Sequence, residues 1–177
     1  MLELLQTDAA RTGQTPSLQD EWRLVERVLH HWTEMAAGGW GFPQLNEIDS
    51  WMVSDDWTNS LLVAVRSPIE RSHFVAVGDN LLSEGSRLLD GAAVALCPRN
   101  TLVYVLLSLV PQVLSARCCL IAEGVATHQG VAILYRSALL PLSEDGVAID
   151  HMLGAANYRA LLAGEAPTTQ PIPTHWL

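Results

Sequence analysis

One segment constrains the fold more than any other. In GVAILYRSALLPL, residues 130–142, the odd positions from 131 read Val, Ile, Tyr, Ser, Leu, Pro and the even positions read Ala, Leu, Arg, Ala, Leu, Leu. A β-strand turns successive side chains to opposite faces, so as a strand this segment has no polar face. Both of its sides need a cover. The chain must therefore build a sheet with material on each face.

The neighbours supply more strands. ARCCLIAEGVA (116–126) and GVAIDHML (146–153) flank the segment across THQG and SEDG, turn-forming stretches that favour antiparallel pairing of successive strands. If THQG pairs Ala126 with Val131, Glu123 and Arg136 share a face and a cross-strand ion pair is expected. In SEDG, Asp145 and Gly146 tolerate left-handed backbone, so the acidic tip reads as a turn and not as an acid–base pair. Upstream, LLVAVR (61–66) and SHFVAVGDN (72–80) read as a hairpin around SPIER.

Helices are expected in three places. Ser17 and Asp20 make a capping-box-like start, after which Trp22, Val25, Leu29, Trp32 and Ala36 recur at three- and four-residue steps along one face. Gly38 and Gly39 end that helix. A weaker helix is expected near 80–90, and a longer one from about Pro98 toward Leu114, bent or ended near Pro111. The fold class is thus α+β, with about five antiparallel strands. The division expected is a flexible arm at 1–16, the first helix and a tryptophan-rich connector at 17–58, a core at 59–159 and a tail at 160–177.

Composition narrows the roles. The 177 residues carry a formal charge of −9, and every basic side chain is arginine, scattered singly. Such a surface repels phosphate backbones and acidic membranes, so neither nucleic acid nor membrane is an expected partner. The longest apolar run, TLVYVLLSLVPQVL (101–114), is short of the ~20 residues of a membrane helix. The start lacks a secretory signal pattern. Cys97, Cys118 and Cys119 fit no disulfide framework or zinc motif, which favours a reducing cytoplasm. The six histidines include no His-x-x-x-His helical pair, and no nucleophile elbow, Walker loop or glycine fingerprint is present. We expect no catalysis, no metal and no catalytic residues.

Several stretches carry a family resemblance. RSALLPLSEDGVAIDHMLGAANYR (136–159) contains Pro141-Leu142-Ser143 followed by Gly146, then Asp150 ahead of Met152-Leu153-Gly154. With HHWTEM (30–35), FPQLNEIDSW (42–51) and HFVAVGDNLL (73–82), it resembles the PAS-like domain family found as short stand-alone proteins in alphaproteobacteria, over about residues 22–159. One departure is Val75-Ala76-Val77 followed by Gly78-Asp79, where the family commonly has Arg before the apolar triplet and Gly-Thr after it. A second concerns light sensing, where a flavin-binding helix would start Asn-Cys-Arg-Phe. This chain has Cys97-Pro98-Arg99-Asn100.

The resemblance implies a five-stranded antiparallel sheet with helices on one face, and a sensory or interaction role. On that basis the expected function is a PAS-like signalling domain, acting by small-ligand binding, by protein association, or by both, without an output domain in the chain. Tyr104, Tyr135 and Arg136 are the pocket candidates, having bulk and a polar handle. The Trp22, Val25, Leu29 and Trp32 stripe is the candidate homodimer surface, with a signalling protein as a further partner. No cofactor follows from the residues; haem and flavin both lack their ligand patterns. The alternatives are a small enzyme or carrier for an apolar metabolite, or a structural adaptor.

Overall fold

The computed structural model describes residues 18–39, 41–52, 54–82 and 90–165, with side chains in the first helix described from residue 23 onward. The five strands are β1 (Ser60–Ala64), β2 (His73–Val77), β3 (Leu120–His128), β4 (Val131–Leu142) and β5 (His151–Ala160). They form a single antiparallel sheet in the order β2-β1-β5-β4-β3, so the first and last strands are neighbours at its centre. The helices are α1 (Leu18–Ala37), the single turn α2 (Asp49–Met52) and α3 (Leu102–Ala116).

Both faces of the sheet are covered, as the doubly apolar β4 requires. On one face Leu102, Val103, Leu106, Val110 and Val113 of α3 pack on Leu61, Val63, Phe74, Ile133, Leu139 and Met152. On the other, Leu24, Val25 and Val28 of α1, with Ile48 and Trp51, pack on Leu62, Ala138, Leu140, Leu142, Leu153 and Ala155. The alternation along β4 sorts its residues between these two cores, Leu139 to the first and Leu140 to the second.

The apolar stripe of α1 is used on its own sheet. Val25 is buried there, Leu29 and Trp32 pack against the same core, and Trp32 Nε1 donates to the Pro141 carbonyl at 2.8 Å. The expected dimer surface is corrected accordingly: a sheet face without a polar side claims the stripe within the chain. The side chain of Trp22 lies outside the described residues. Arg27 fixes the helix laterally, its Nε donating to Asp56 at 2.7 Å.

Two strand expectations change. The β3–β4 turn is the two-residue Gln129-Gly130, both at positive φ (51° and 77°), which matches the twist of a tight hairpin. It pairs His128 with Val131 instead of Ala126, and it sets Glu123 directly across from Arg136. β5 begins at His151 and not at Gly146, because side chains take the loop's amides. Asp145 Oδ1 accepts from the backbone of Val147 and Ala148 and from Ser143 Oγ, while the Asp150 carboxylate accepts from Glu144 N at 3.1 Å.

In α3, Thr101 Oγ1 caps the start by accepting from Tyr104 N at 3.2 Å. The helix runs through Pro111 to Ala116 and ends at Arg117, whose φ of 51° is left-handed. Pro111 sits on the exposed side, and Val113 beyond it is anchored in the core, so packing outweighs the one hydrogen bond that proline removes. Of the helix expected near 80–90, the described part is a 3-10 turn, Asp79–Leu81; residues 83–89 lie outside the described set, as do the expected arm at 1–16, the capping residue Ser17 and residues 166–177 of the tail.

Candidate functional site

The three pocket candidates do not converge. Tyr104 is on the outer side of α3, 37% exposed. Tyr135 is buried in the core under α3, and its ring lies so close to Gly124 that a Cβ there would meet it at 3.3 Å. Burial pushes the Tyr135 hydroxyl pKa up. Arg136 follows it in the strand and turns to the α1 side, opposite Glu123.

Tyr104 nevertheless borders a hollow. A groove of about 390 Å³ runs along the outer side of α3, between that helix and the 3-10 turns Ile69–Arg71 and Val94–Leu96. Ile69, Val94, Ala95, Leu107 and Pro111 form apolar walls, and Glu70, Arg99, Tyr104 and Ser108 add polar groups.

Local bonding fixes these walls. The Val94 amide donates to Ser72 O at 2.9 Å, tying its turn to the start of β2, and Arg66 N donates to the buried Ser72 Oγ at 2.8 Å. Thr101 joins the groove's end to the helix, because its hydroxyl donates to Pro98 O at 2.7 Å while capping Tyr104. The Cys97 thiol lies 3.7 Å from that hydroxyl, and burial pushes its pKa up, which Thr101 partly offsets. It is a small apolar wall and a poor nucleophile.

A second hollow of about 450 Å³ lies where α1 ends, lined by Met35, Gly38, Gly41, Glu47 and Asp145 among others. It is a joint between backbone segments. Phe42 N donates to Gly146 O at 3.0 Å and Ser143 N to Pro43 O at 3.0 Å. Arg117 rides 4.9 Å from the centre of the Phe42 ring. Asp145 is held below the usual carboxylate range by the Ala148 and Val147 amides and the Ser143 hydroxyl, which fits a carboxylate that closes a turn.

Two residues stand out at the far end of the sheet: His128, which the sequence placed in the THQG turn but which ends strand β3, and Tyr158, which it passed over. His128 is 2% exposed, and among the described residues neither of its buried ring nitrogens has a well-formed hydrogen bond. Its ring centre is 4.6 Å from that of Tyr158, whose hydroxyl donates to Asn80 O at 2.9 Å. Burial lowers the His128 pKa, and the nearby Asn80 carbonyl opposes this in part. The available signal was parity: His128 continues the inward series Ala122, Gly124, Ala126.

Cys97, Cys118 and Cys119 are free, and burial together with its neighbour Cys118 pushes the Cys119 thiol up to about 12. Among the described residues no group of three or more His, Cys, Asp or Glu side chains is placed to hold a metal ion, and no helix is long and apolar enough to cross a membrane. No family model, curated protein or solved structure matches the chain. What the fold defines is an α+β protein whose single five-stranded antiparallel sheet is covered on both faces.

Proposed function

We propose that this chain is a PAS-like sensory or interaction domain of a reducing cytoplasm, which takes a small, largely apolar ligand in the groove beside α3 and signals by association instead of turnover. The groove carries this reading. It has the size of a small-molecule site and apolar walls with a few polar groups at the edge, the composition such sites favour. The five-stranded antiparallel sheet, helical cover and N-terminal amphipathic helix support the PAS-like part. The free, partly buried cysteines support the compartment.

Amide chemical shifts recorded during titration with indole, an apolar probe with one donor, test the ligand part. Shifts are expected to cluster at 69–71, 94–97 and 104–111. Ser108→Trp, which fills the groove from an exposed helix position, should weaken the probe at least tenfold without moving the melting temperature. Shifts elsewhere, or shifts indifferent to Ser108→Trp, would remove the groove as the site.

A further inference from the structure

The sheet has two edges, and they are treated differently. At β2 the edge is closed: Phe74 N donates to Ala92 O at 2.9 Å, Gly91 N to Phe74 O at 2.9 Å, and Val77 N to Asp90 Oδ1 at 2.9 Å. The β1–β2 register also shifts between Leu62 and Val63. At β3 the edge is open among the described residues: β4 is its sole hydrogen-bonding neighbour there, and the β3–β4 register is unbroken over all nine residues from Leu120 to His128.

Exposed edges are normally blunted by proline, lysine, a bulge or brevity, because a straight row of free N–H and C=O groups recruits another strand. LIAEGVATH has none of these. Its single charge, Glu123, lies directly across from Arg136 of β4, so the acid has a counter-charge in its own row and guards the edge weakly.

We propose that β3 is an association edge on which a second copy of this chain pairs its own β3, antiparallel about a two-fold axis, joining two five-stranded sheets. A two-fold contact needs one self-complementary patch, and charge selects the register. Centred on Glu123, the pairing sets two carboxylates face to face. Centred on Val125, it opposes Val125 to Val125 of the second copy, Gly124 to Ala126 and Glu123 to Thr127. The two carboxylates then stand four residues apart, about 13 Å along the strand. A β-branched central pair suits a sheet. The inference specifies the association half of the function proposed above and is independent of the groove.

Such a contact is small, so the dimer belongs to the weak, concentration-dependent class. Each copy carries a formal charge of −9, so added salt should strengthen it by screening the mutual repulsion.

Sedimentation velocity of the full chain over a concentration series, at low and high salt, tests this. A reversible monomer–dimer equilibrium is expected, with amide exchange in 120–128 slowing as concentration rises. Thr127→Pro and Val125→Lys should each abolish the dimer; the second keeps the result interpretable if proline unfolds the edge, and circular dichroism checks the fold. Val75→Lys on the closed β2 edge and Ser108→Trp in the groove should leave the dimer intact, and Val125→Lys should leave indole binding intact. The proposal is overturned by a monomer at every concentration, by a dimer that survives both β3 variants, or by β3 amides protected only when a different protein is added.

Discussion

Gly41 and Gly78 are held by sterics, not by backbone conformation. A Cβ on Gly41 would run into the carbonyl oxygen of Gly146, and one on Gly78 into the Trp57 and Thr58 carbonyl groups, while Gly78 itself has an ordinary φ of −69°. Backbone atoms cannot swing aside as side chains can. Gly41→Ala and Gly78→Ala should therefore each cost about 2–4 kcal/mol. Gly154→Ala is the contrast, since its nearest neighbours are the side chains of Leu61 and Leu139 at 3.1–3.2 Å, and it should cost only about 1 kcal/mol. Urea denaturation of the three variants would show the order; equal losses would refute the distinction. The sequence displays these glycines but not the carbonyls they face, which come from segments up to 105 positions away. The pocket candidates were different, because their separation could be read. Tyr135 and Arg136 are consecutive in a strand and must diverge. Tyr104 falls outside the Val103, Leu106, Val110, Val113 stripe of its helix.

Helix α1 illustrates what periodicity can and cannot tell. Its end was legible from Gly38 and Gly39, whereas Ser17 lies outside the described residues, and its apolar face was legible in part: Val25, Leu29 and Trp32 pack on the sheet, but Leu24 and Val28, buried with Val25, were not in the expected stripe, and a stripe does not name its partner. The partner is the second face of β4, a demand already visible in the doubly apolar pattern of 131–142. Leu24→Ala in α1 should thus behave as a core truncation, with a loss of about 2–5 kcal/mol measurable by thermal melting; Leu24 is 1% exposed. A loss below about 1 kcal/mol would mean that the helix is a loosely held cover. Removing the whole helix is expected to expose Leu140, Leu142 and Leu153 and to cause aggregation. β5 was the element read least well. Its second half, Gly154-Ala155-Ala156-Asn157-Tyr158-Arg159, has weak strand character and is held in place by β1 and β4 on either side. The apolar Val147-Ala148-Ile149 that suggested a strand is instead loop, capped by Asp145, with Val147 69% exposed. Pairing partners outweighed local propensity in both halves.

The pH dependence of the molecule's stability should carry the imprint of one side chain. His128 is buried, and among the described residues neither ring nitrogen has a well-formed hydrogen bond, so burial lowers its folded pKa below the ordinary 6.5 against the opposing pull of the Asn80 carbonyl. The unfolded chain then binds the proton at a higher pH than the native protein does. Stability is full above about pH 6.5 and falls as acid is added, until the lowered folded value is reached and the difference saturates. Glu165 acts in a separate window. Arg159 first and the Leu162 amide second hold it down to about 2 from 4.5, so its contribution is present above pH 4.5 and is lost below. The interval from pH 6.5 to 5 therefore reports on His128. His128→Leu removes the titration and also the desolvated nitrogens, whose burial costs on the order of 1–3 kcal/mol. The variant should be at least as stable as the parent at pH 7, and the gap should widen toward pH 5. Paired urea titrations across that range decide it: a gap that narrows with acid would mean that the imidazolium is stabilised in the native state, and the Asn80 carbonyl would then have to outweigh the burial.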